Sequence, residues 1–238
     1  MLFALAALPP ILVVFIIYKL DKYEKEPIKQ IVRVFLFGCL TVIPVMFIAS
    51  IRDPLYEGGH LESLVSLTGG GMLGIREMSI FLYAVIGVAL VEEYFKFLVL
   101  TKYIYNKPDF NEPMDGIVYG VTASMGFAFI ENLMYVYLYV DSDAAFSTAV
   151  LRMCSAIPAH ALMGVIMGYY VGKAKFSKDN EKRLLLKGLL GAIILHGLYD
   201  YFLMSQNGIR FFAFASLIVS IIIAKKAIKE NVEMSPFK

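Results

Sequence analysis

Seven long apolar segments run along this sequence, and they constrain its fold more than any other feature. Most of them reach the ~20 residues that a helix needs to cross a hydrocarbon core of ~30 Å. Spanning segments must satisfy their backbone hydrogen bonds internally, which leaves the α-helix as their form. The sequence therefore predicts an all-α, polytopic membrane protein with about seven transmembrane helices. The predicted spans are Leu2–Tyr18, Ile31–Ile51, Ile80–Tyr105, Met114–Val140, Thr148–Gly172, Leu184–Met204 and Phe211–Ala224.

The composition agrees with this class. Of the 238 residues, 59% are hydrophobic and 18% are charged, which is too apolar for an ordinary soluble domain. The connections between the segments are too short to form a second domain, so residues 1–238 are predicted to be one integral-membrane domain. The net charge of +2 gives no indication of nucleic-acid binding, and the expected surroundings are the lipid bilayer.

The basic residues are distributed unequally between alternate connections. Four of the 22 lie on one side, and the other side carries 16, which predicts an outer N-terminus and a cytoplasmic C-terminus. The four are Arg52, Arg76, Arg152 and Arg210. The 16 are Lys19, Lys22, Lys25, Lys29, Lys102, Lys107, Lys173, Lys175, Lys178, Lys182, Arg183, Lys187, Lys225, Lys226, Lys229 and Lys238.

Glutamate and histidine side chains recur at a similar depth in four of the segments. With a rise of 1.5 Å per residue from the predicted outer ends, Glu92 and His160 lie roughly 18 Å deep. On the same count Glu131 lies roughly 14 Å deep and His196 roughly 12 Å deep. An ionisable group at this depth costs on the order of 3 kcal/mol, so such groups usually face one another or a wet cavity. We expect the four side chains to share one pocket.

Further polar residues accompany this set. In "VALVEEYFKFLVL", Lys96 follows Glu92 by four residues and Glu93 by three, so it can reach either carboxylate. A structural ion pair with a spare acid explains this motif as well as a catalytic base does. In "LHGLYD", Asp200 lies one turn after His196 and can orient its ring.

The fourth segment contributes "FAFIENLMY", with Glu131 and Asn132. A hydrogen bond between helices is an alternative role for these two side chains.

The predicted set supports hydrolysis of an amide bond by water, through either of two mechanisms. In one, His160, His196 and a carboxylate such as Glu131 hold a divalent metal ion such as zinc, and a remaining glutamate activates the bound water. In the other, Glu92 or Glu93 activates water directly while a histidine stabilises the oxyanion. No HExxH helix is present, so the sequence does not choose between them.

Two other classes of function use similar residues. A proton- or cation-coupled transporter also places Glu, His and Asp within its spans, although it predicts paired broken helices in matching halves of the chain, which the sequence does not show. A non-proteolytic membrane interaction protein is the second alternative. Glutamine at position 92 or 93 abolishes cleavage by a protease but leaves a binding protein functional.

The chain resembles the PrsW family of intramembrane proteases, within the wider group that includes the CAAX prenyl proteases. The resemblance runs through "YKLDKYEKEP", "VEEYFKF", "MDGIVYG", "GFAFIEN", "HALMGVIMGYYVGKAKFS" and "LHGLYD". Its double glutamate and lysine correspond to Glu92, Glu93 and Lys96, and later motifs correspond to Glu131, His160 and His196. Related proteases often have a polar partner where this chain has Asp200.

This resemblance implies a specific activity. It implies a protease of the bacterial cytoplasmic membrane that makes the first, outward-side cut in a single-pass anti-sigma factor during a stress response. A second intramembrane protease then releases the sigma factor. The family is usually classed among metallopeptidases, and the resemblance implies Glu92, Glu93, His160 and His196 as catalytic residues, supported by Lys96, Glu131, Asn132 and Asp200.

Overall fold

The protein is described by a computed structural model that covers residues 1–67, 69, 71–205 and 209–238, and the regular elements in these ranges are all helical. Seven stretches are long and apolar enough to cross a membrane, which confirms the predicted all-α, polytopic class. The α-helices of these ranges are α1 (Leu2–Leu20), α2 (Ile28–Leu40), α3 (Val42–Glu57), α4 (His60–Ser66), α5 (Met72–Leu82), α6 (Leu90–Leu98), α7 (Pro113–Met134), α8 (Ser142–Cys154), α9 (Ala156–Lys175), α10 (Glu181–Met204) and α11 (Phe211–Glu233).

Four of the seven spans are not single regular helices. The second span changes from α2 to α3 at Thr41, and the fifth changes from α8 to α9 at Ser155. The third span contains α5 and α6 with π-helical segments at Tyr83–Ala89 and Val99–Ile104, and α7 continues into a π-helical segment at Tyr135–Tyr139. Local π-helical geometry is frequent near functional sites. Two of these segments come within one helical turn of the residues singled out in the sequence, Glu92 and Glu131.

The spans extend further than the apolar segments predicted. The second reaches Glu57, the third begins at Gly74, and the seventh ends at Glu233 instead of Ala224. Polar residues at helix ends are compatible with a helix that continues beyond the hydrocarbon core. Apolar character alone therefore marked the spans correctly but underestimated their helical length.

The helices α7 and α9 form the centre of the bundle. The apolar window of the α7 span is 72% buried, against 22% for the first span. Gly116 of α7 faces Gly168 of α9 so closely that a Cβ atom built on Gly116 would lie 2.4 Å from the Gly168 carbonyl oxygen. Small residues allow such close backbone approach between membrane helices. This packing fixes α7, which carries Glu131, against α9, which carries His160.

The helix α10 completes the scaffold of the site. It packs against α9 and against the π-helical segment before α6, where a Cβ atom on Gly197 would lie 2.6 Å from Val85 Cγ2. The residue before Gly197 is His196. The close approach at Gly197 therefore brings His196 beside the helix that carries Glu92 and Glu93.

Candidate active site

The first part of the site is an ion cluster on α6. Lys96 Nζ lies 2.8 Å from Glu93 Oε1 and 3.4 Å from Glu92 Oε2. All three residues are buried, and the Lys96 ammonium also lies 4.1 Å from the centre of the Phe127 ring. The spacing of three and four residues places the side chains on one helical face, as the sequence predicts.

His196 joins α10 to this cluster. Its Nδ1 atom lies 2.9 Å from Glu93 Oε1, and its Nε2 atom lies 3.3 Å from Asp200 Oδ2 and 3.9 Å from Glu92 Oε2. Asp200 lies one helical turn further along α10. The imidazole is therefore held between carboxylates on both of its nitrogen atoms, which fixes its orientation.

His160 enters from the second turn of α9. Its Nδ1 atom lies 3.2 Å from Lys96 Nζ, and its Nε2 atom lies 2.9 Å from Glu131 Oε2. An ammonium group can only donate, so Nδ1 accepts this hydrogen bond and Nε2 carries the proton that Glu131 accepts. The two imidazole rings lie 5.3 Å apart, centre to centre, at nearly a right angle.

Glu131 is held by an arginine that the sequence analysis assigned only to the outer connections. Arg152 Nη2 lies 2.5 Å from Glu131 Oε2, and Arg152 Nε donates to Asn132 Oδ1 at 2.7 Å. The guanidinium also packs on the Tyr135 ring, 3.8 Å from its centre. An arginine within an apolar membrane segment requires an acidic partner. The position of Arg152 in the fifth segment was therefore the sequence signal that indicated such a pair. Asn132 thus supports Arg152, and its amide nitrogen reaches the carbonyl oxygen of Ala6 at 3.4 Å.

A cavity of about 820 Å³ opens onto these groups. Its wall includes Glu92, Glu131, His160, His196 and Asp200. Residues at the end of α8 and at the start of α9 also line it. Glu93 and Lys96 are not among its lining residues, and both have fully buried side chains. Glu92 is therefore the member of the glutamate pair that a molecule in the cavity can reach.

Four side chains form a group suited to a metal ion. Glu92, Glu93, His160 and His196 are all buried, and each offers a ligand atom within 4.8 Å of those of the other three. Carboxylate oxygen and imidazole nitrogen are ordinary zinc ligands. Glu93 Oε2 is buried and has no hydrogen-bond partner among the residues described, so it is available to a cation. Within those residues, Glu131, which the sequence analysis placed in the ligand set, is not part of the group.

The charge of the pocket also favours a cation. Four carboxyl groups, those of Glu92, Glu93, Glu131 and Asp200, face two basic side chains, Lys96 and Arg152. Two negative charges remain when the carboxyl groups are ionised and the histidines are neutral. The Lys96 ammonium contacts three of the four grouped side chains, so these side chains already bind one positive charge.

The structure thus brings together, from α6, α7, α9 and α10, the Glu and His side chains that the depth argument places in one layer. Their roles in catalysis stay predictions. His60, the third histidine of the chain, begins α4 and takes no part in this cluster.

Comparison with known proteins gives a consistent match. A family model described as "PrsW family intramembrane metalloprotease" matches residues 26–225. The chain is 36% identical over 190 residues to Protease PrsW of Geobacillus kaustophilus, covering 80% of this chain and 74% of the relative. It is 35% identical over 196 residues to Protease PrsW of Bacillus subtilis, covering 82% and 79%. For Protease PrsW of Clostridioides difficile the identity is 33% over 236 residues, covering 98% and 90%. No solved structure matches the chain significantly.

Proposed function

Because the chain belongs to the PrsW family of intramembrane proteases, we propose that it makes the first, extracytoplasmic-side cut in a single-pass anti-sigma factor. As a family member it is a multi-pass bacterial membrane protein and a peptide hydrolase, which favours this class over a transporter or a binding protein. The observation that supports the proposed site most strongly is the buried group of Glu92, Glu93, His160 and His196 beside the large cavity.

The proposed side of cleavage follows from the position of the cavity. Its wall includes Asp53 and Glu57 near the end of the second span, and Val140 and Met204 near the ends of the fourth and sixth. These positions adjoin the connections that carry few basic residues. By the positive-inside rule this end faces away from the cytoplasm. A substrate span entering the cavity is therefore cut near its extracytoplasmic end.

We propose that His160, His196 and Glu93 are the residues that hold a divalent metal ion such as zinc. Three protein ligands and one open position are typical of catalytic zinc sites. Glu131 supports this set from outside, because it accepts the Nε2 proton of His160. The Nδ1 lone pair, which accepts from Lys96 in this structure, is the one that would bind the ion. A carboxylate behind a ligating histidine is the usual supporting arrangement. Asp200 Oδ2 lies 3.3 Å from His196 Nε2 and contacts the second histidine of the proposed set.

Glu92 is the proposed general base. Its carboxylate lines the cavity, whereas Glu93 is fully buried and its Oε1 atom already binds Lys96 and His196. A bound divalent ion polarises the scissile carbonyl group and acidifies water. Glu92 accepts a proton from the attacking water, whose oxygen bonds to the carbonyl carbon. Glu92 then returns the proton to the leaving amide nitrogen as the carbon–nitrogen bond breaks.

Lys96 and Arg152 have positioning roles in this proposal. Lys96 balances the charge of Glu92 and Glu93, and Arg152 holds Glu131 against His160. The cavity volume of about 820 Å³ is at the upper end of the ~300–1,000 Å³ found for ligand pockets, so it has room for a short unwound peptide segment.

The test is cleavage in a defined membrane. The purified protein is reconstituted with a single-pass anti-sigma factor, and the products are identified by mass spectrometry. We expect one primary cut near the extracytoplasmic end of the substrate span. A cut confined to the cytoplasmic half of the span contradicts the proposed side, and binding of the substrate without hydrolysis contradicts the proposed reaction.

A further inference from the structure

A second cluster of acidic side chains lies at the opposite end of the bundle from the cavity. Asp21, Glu24 and Glu26 belong to the connection between α1 and α2. Glu112 is the residue before α7, and Asp115 lies in the first turn of that helix. Asp115 lies 16 residues before Glu131 on the same span, which corresponds to about 24 Å along a helix. This cluster is therefore separate from the candidate active site.

Three of these residues converge at one point. Glu24, Glu26 and Asp115 each offer a carboxylate oxygen, and these atoms lie within 4.8 Å of one another. Glu26 is 1% exposed and Asp115 is fully buried. Buried carboxylates this close to one another repel strongly unless a proton or a cation lies between them.

The existing hydrogen bonds leave one oxygen of each carboxylate unused. Asp115 Oδ2 accepts the backbone N–H groups of Asn111 and Glu112, at 2.7 and 2.8 Å, and the hydroxyl group of Tyr119 donates to Glu26 Oε2. Asp115 Oδ1, Glu26 Oε1 and Glu24 Oε2 are buried without a hydrogen-bond partner in the described ranges. Such buried, unpaired acceptors are rare in native proteins and indicate a missing donor or ion.

The outer members of the cluster show the same feature. Both carboxylate oxygens of Asp21 and Glu112 Oε2 are buried and lack a hydrogen-bond partner among the described residues. They add negative charge beside the three converging groups.

Among the described residues, the nearby lysines form no ion pair within 4.0 Å with these carboxyl groups. Lys25 Nζ donates to the carbonyl oxygens of Tyr18 and Lys19, at 2.8 and 3.4 Å. Lys175 Nζ donates to the carbonyl oxygen of Tyr105. Within the described part of the chain, the ion pairs all involve other carboxyl groups.

The environment is unfavourable for bare carboxylates. Burial raises the pKa of Asp21 to about 7, with Glu112 as the next cause. Buried carboxyl groups this close together therefore need either a proton or a bound cation between them.

We propose that Glu24, Glu26 and Asp115 form a binding site for a hard divalent cation of the Mg²⁺ or Ca²⁺ type. The ligand atoms are all oxygens, which these ions prefer over the nitrogen-containing sets typical of zinc. Asp21 and Glu112 contribute charge at the edge of the site. The bound cation ties the connection between α1 and α2 to the start of α7, the central helix of the bundle.

The test measures binding of each metal alone to the full-length protein in detergent. After removal of bound metals, thermal unfolding is followed during titration with MgCl₂ or CaCl₂. An ion that binds the folded state raises Tm as its concentration rises above its Kd. We expect saturable stabilisation by at least one ion, and the comparison of the two titrations identifies which ion the site prefers.

Matched variants locate the binding. Glu26→Gln is expected to weaken binding at least tenfold, and Glu24→Gln, a partly exposed position, provides the same test if Glu26→Gln fails to fold. Asp179→Asn, an exposed acid at the same end of the bundle, is the control and is expected to bind like the wild type. Glu93→Gln is also expected to keep the response, because it changes only the active-site group.

Two outcomes overturn the proposal. The first is a wild-type protein that neither ion stabilises at millimolar concentration, which means that protons alone balance the carboxylates. The second is a response that survives in Glu24→Gln and Glu26→Gln but is lost in Glu93→Gln, which places the ion at the active site.

Discussion

His196 Nδ1 lies 2.9 Å from Glu93 Oε1, so a histidine of the sixth span and a glutamate of the third, 103 positions apart, share a buried contact. The same glutamate oxygen accepts a hydrogen bond from Lys96. The cation-binding role proposed for Glu93 rests on its second oxygen, which is buried and unpaired in the described structure.

Metal content distinguishes the two adjacent glutamates. Glu93→Gln and His196→Ala are expected to lose most of the bound zinc, because each removes a proposed ligand. Glu92→Gln is expected to retain it, because three ligands remain. The measurement is the metal-to-protein ratio of each purified variant by mass spectrometry. Equal metal loss in Glu92→Gln and Glu93→Gln would contradict the assignment of Glu92 as base.

Metal removal provides an independent check on the mechanism. Chelator treatment is expected to abolish peptide cleavage, and addition of zinc is expected to restore it. The control is unfolding temperature before and after chelation, which shows whether the fold survives the treatment. Full activity in metal-free, folded protein instead supports the mechanism in which glutamate alone activates water.

The Arg152 to Glu131 pair is expected to position His160. Arg152→Met leaves the Glu131 carboxylate without its guanidinium partner, and breaking such a buried pair costs roughly 3 kcal/mol. Cleavage should fall as well, because Glu131 no longer holds the His160 ring in place. The double variant Arg152→Met and Glu131→Gln is expected to recover part of the lost stability, as measured by thermal unfolding.

Recovery of stability without recovery of cleavage supports a positioning role for the pair. Additive losses of stability in the double variant show instead that the two side chains are not coupled.

The contact between α7 and α9 is expected to tolerate no side chain. In Gly168→Ala the new Cβ atom would lie 2.2 Å from the Gly116 carbonyl oxygen, so the helices must separate. Overpacking of this kind typically costs 1–3 kcal/mol, and we expect a loss of about 2 kcal/mol or more. Gly74→Ala is the matched control, because its Cβ atom meets nothing within 4 Å. Equal unfolding temperatures for the two variants contradict the close packing.

The orientation of the chain is open to direct measurement. The distribution of basic residues predicts a cytoplasmic C-terminus. A green fluorescent protein fused after Lys238 is expected to fluoresce, and an alkaline phosphatase fused at the same position is expected to be inactive. The opposite pair of results reverses the orientation and moves the cavity to the cytoplasmic side.

The spans and the common depth of the site residues could be predicted because both follow from counting residues along each apolar segment. Apolar length marks a membrane span, and the helical rise places Glu92, Glu131, His160 and His196 at a common depth. The same arithmetic says nothing about rotation of each helix. Whether Glu92 or Glu93 faces the cavity depends on how α6 packs against α7 and α10, and this required coordinates.

Arg152 shows the second limit of the sequence analysis. Its position near the end of an apolar segment made it one of four outer basic residues in the analysis of orientation. In the structure it lies in the last turn of α8, where it contacts Glu131 and Asn132. The sequence contained an arginine without an assigned acidic partner, but tertiary packing decided which acid it meets. That pairing is one reason why we propose Glu93, and not Glu131, as a metal ligand.

Cleavage by Glu92→Gln is the measurement that tests the proposed active site most directly. The variant is compared with Glu233→Gln, an exposed position on α11, in the same membrane with the same single-pass substrate. Loss of a general base typically slows a reaction 10²–10⁴-fold. We predict a loss of at least 10²-fold in kcat for Glu92→Gln, with zinc content and unfolding temperature near those of the wild type, and no change for Glu233→Gln. Wild-type cleavage by folded Glu92→Gln contradicts the account.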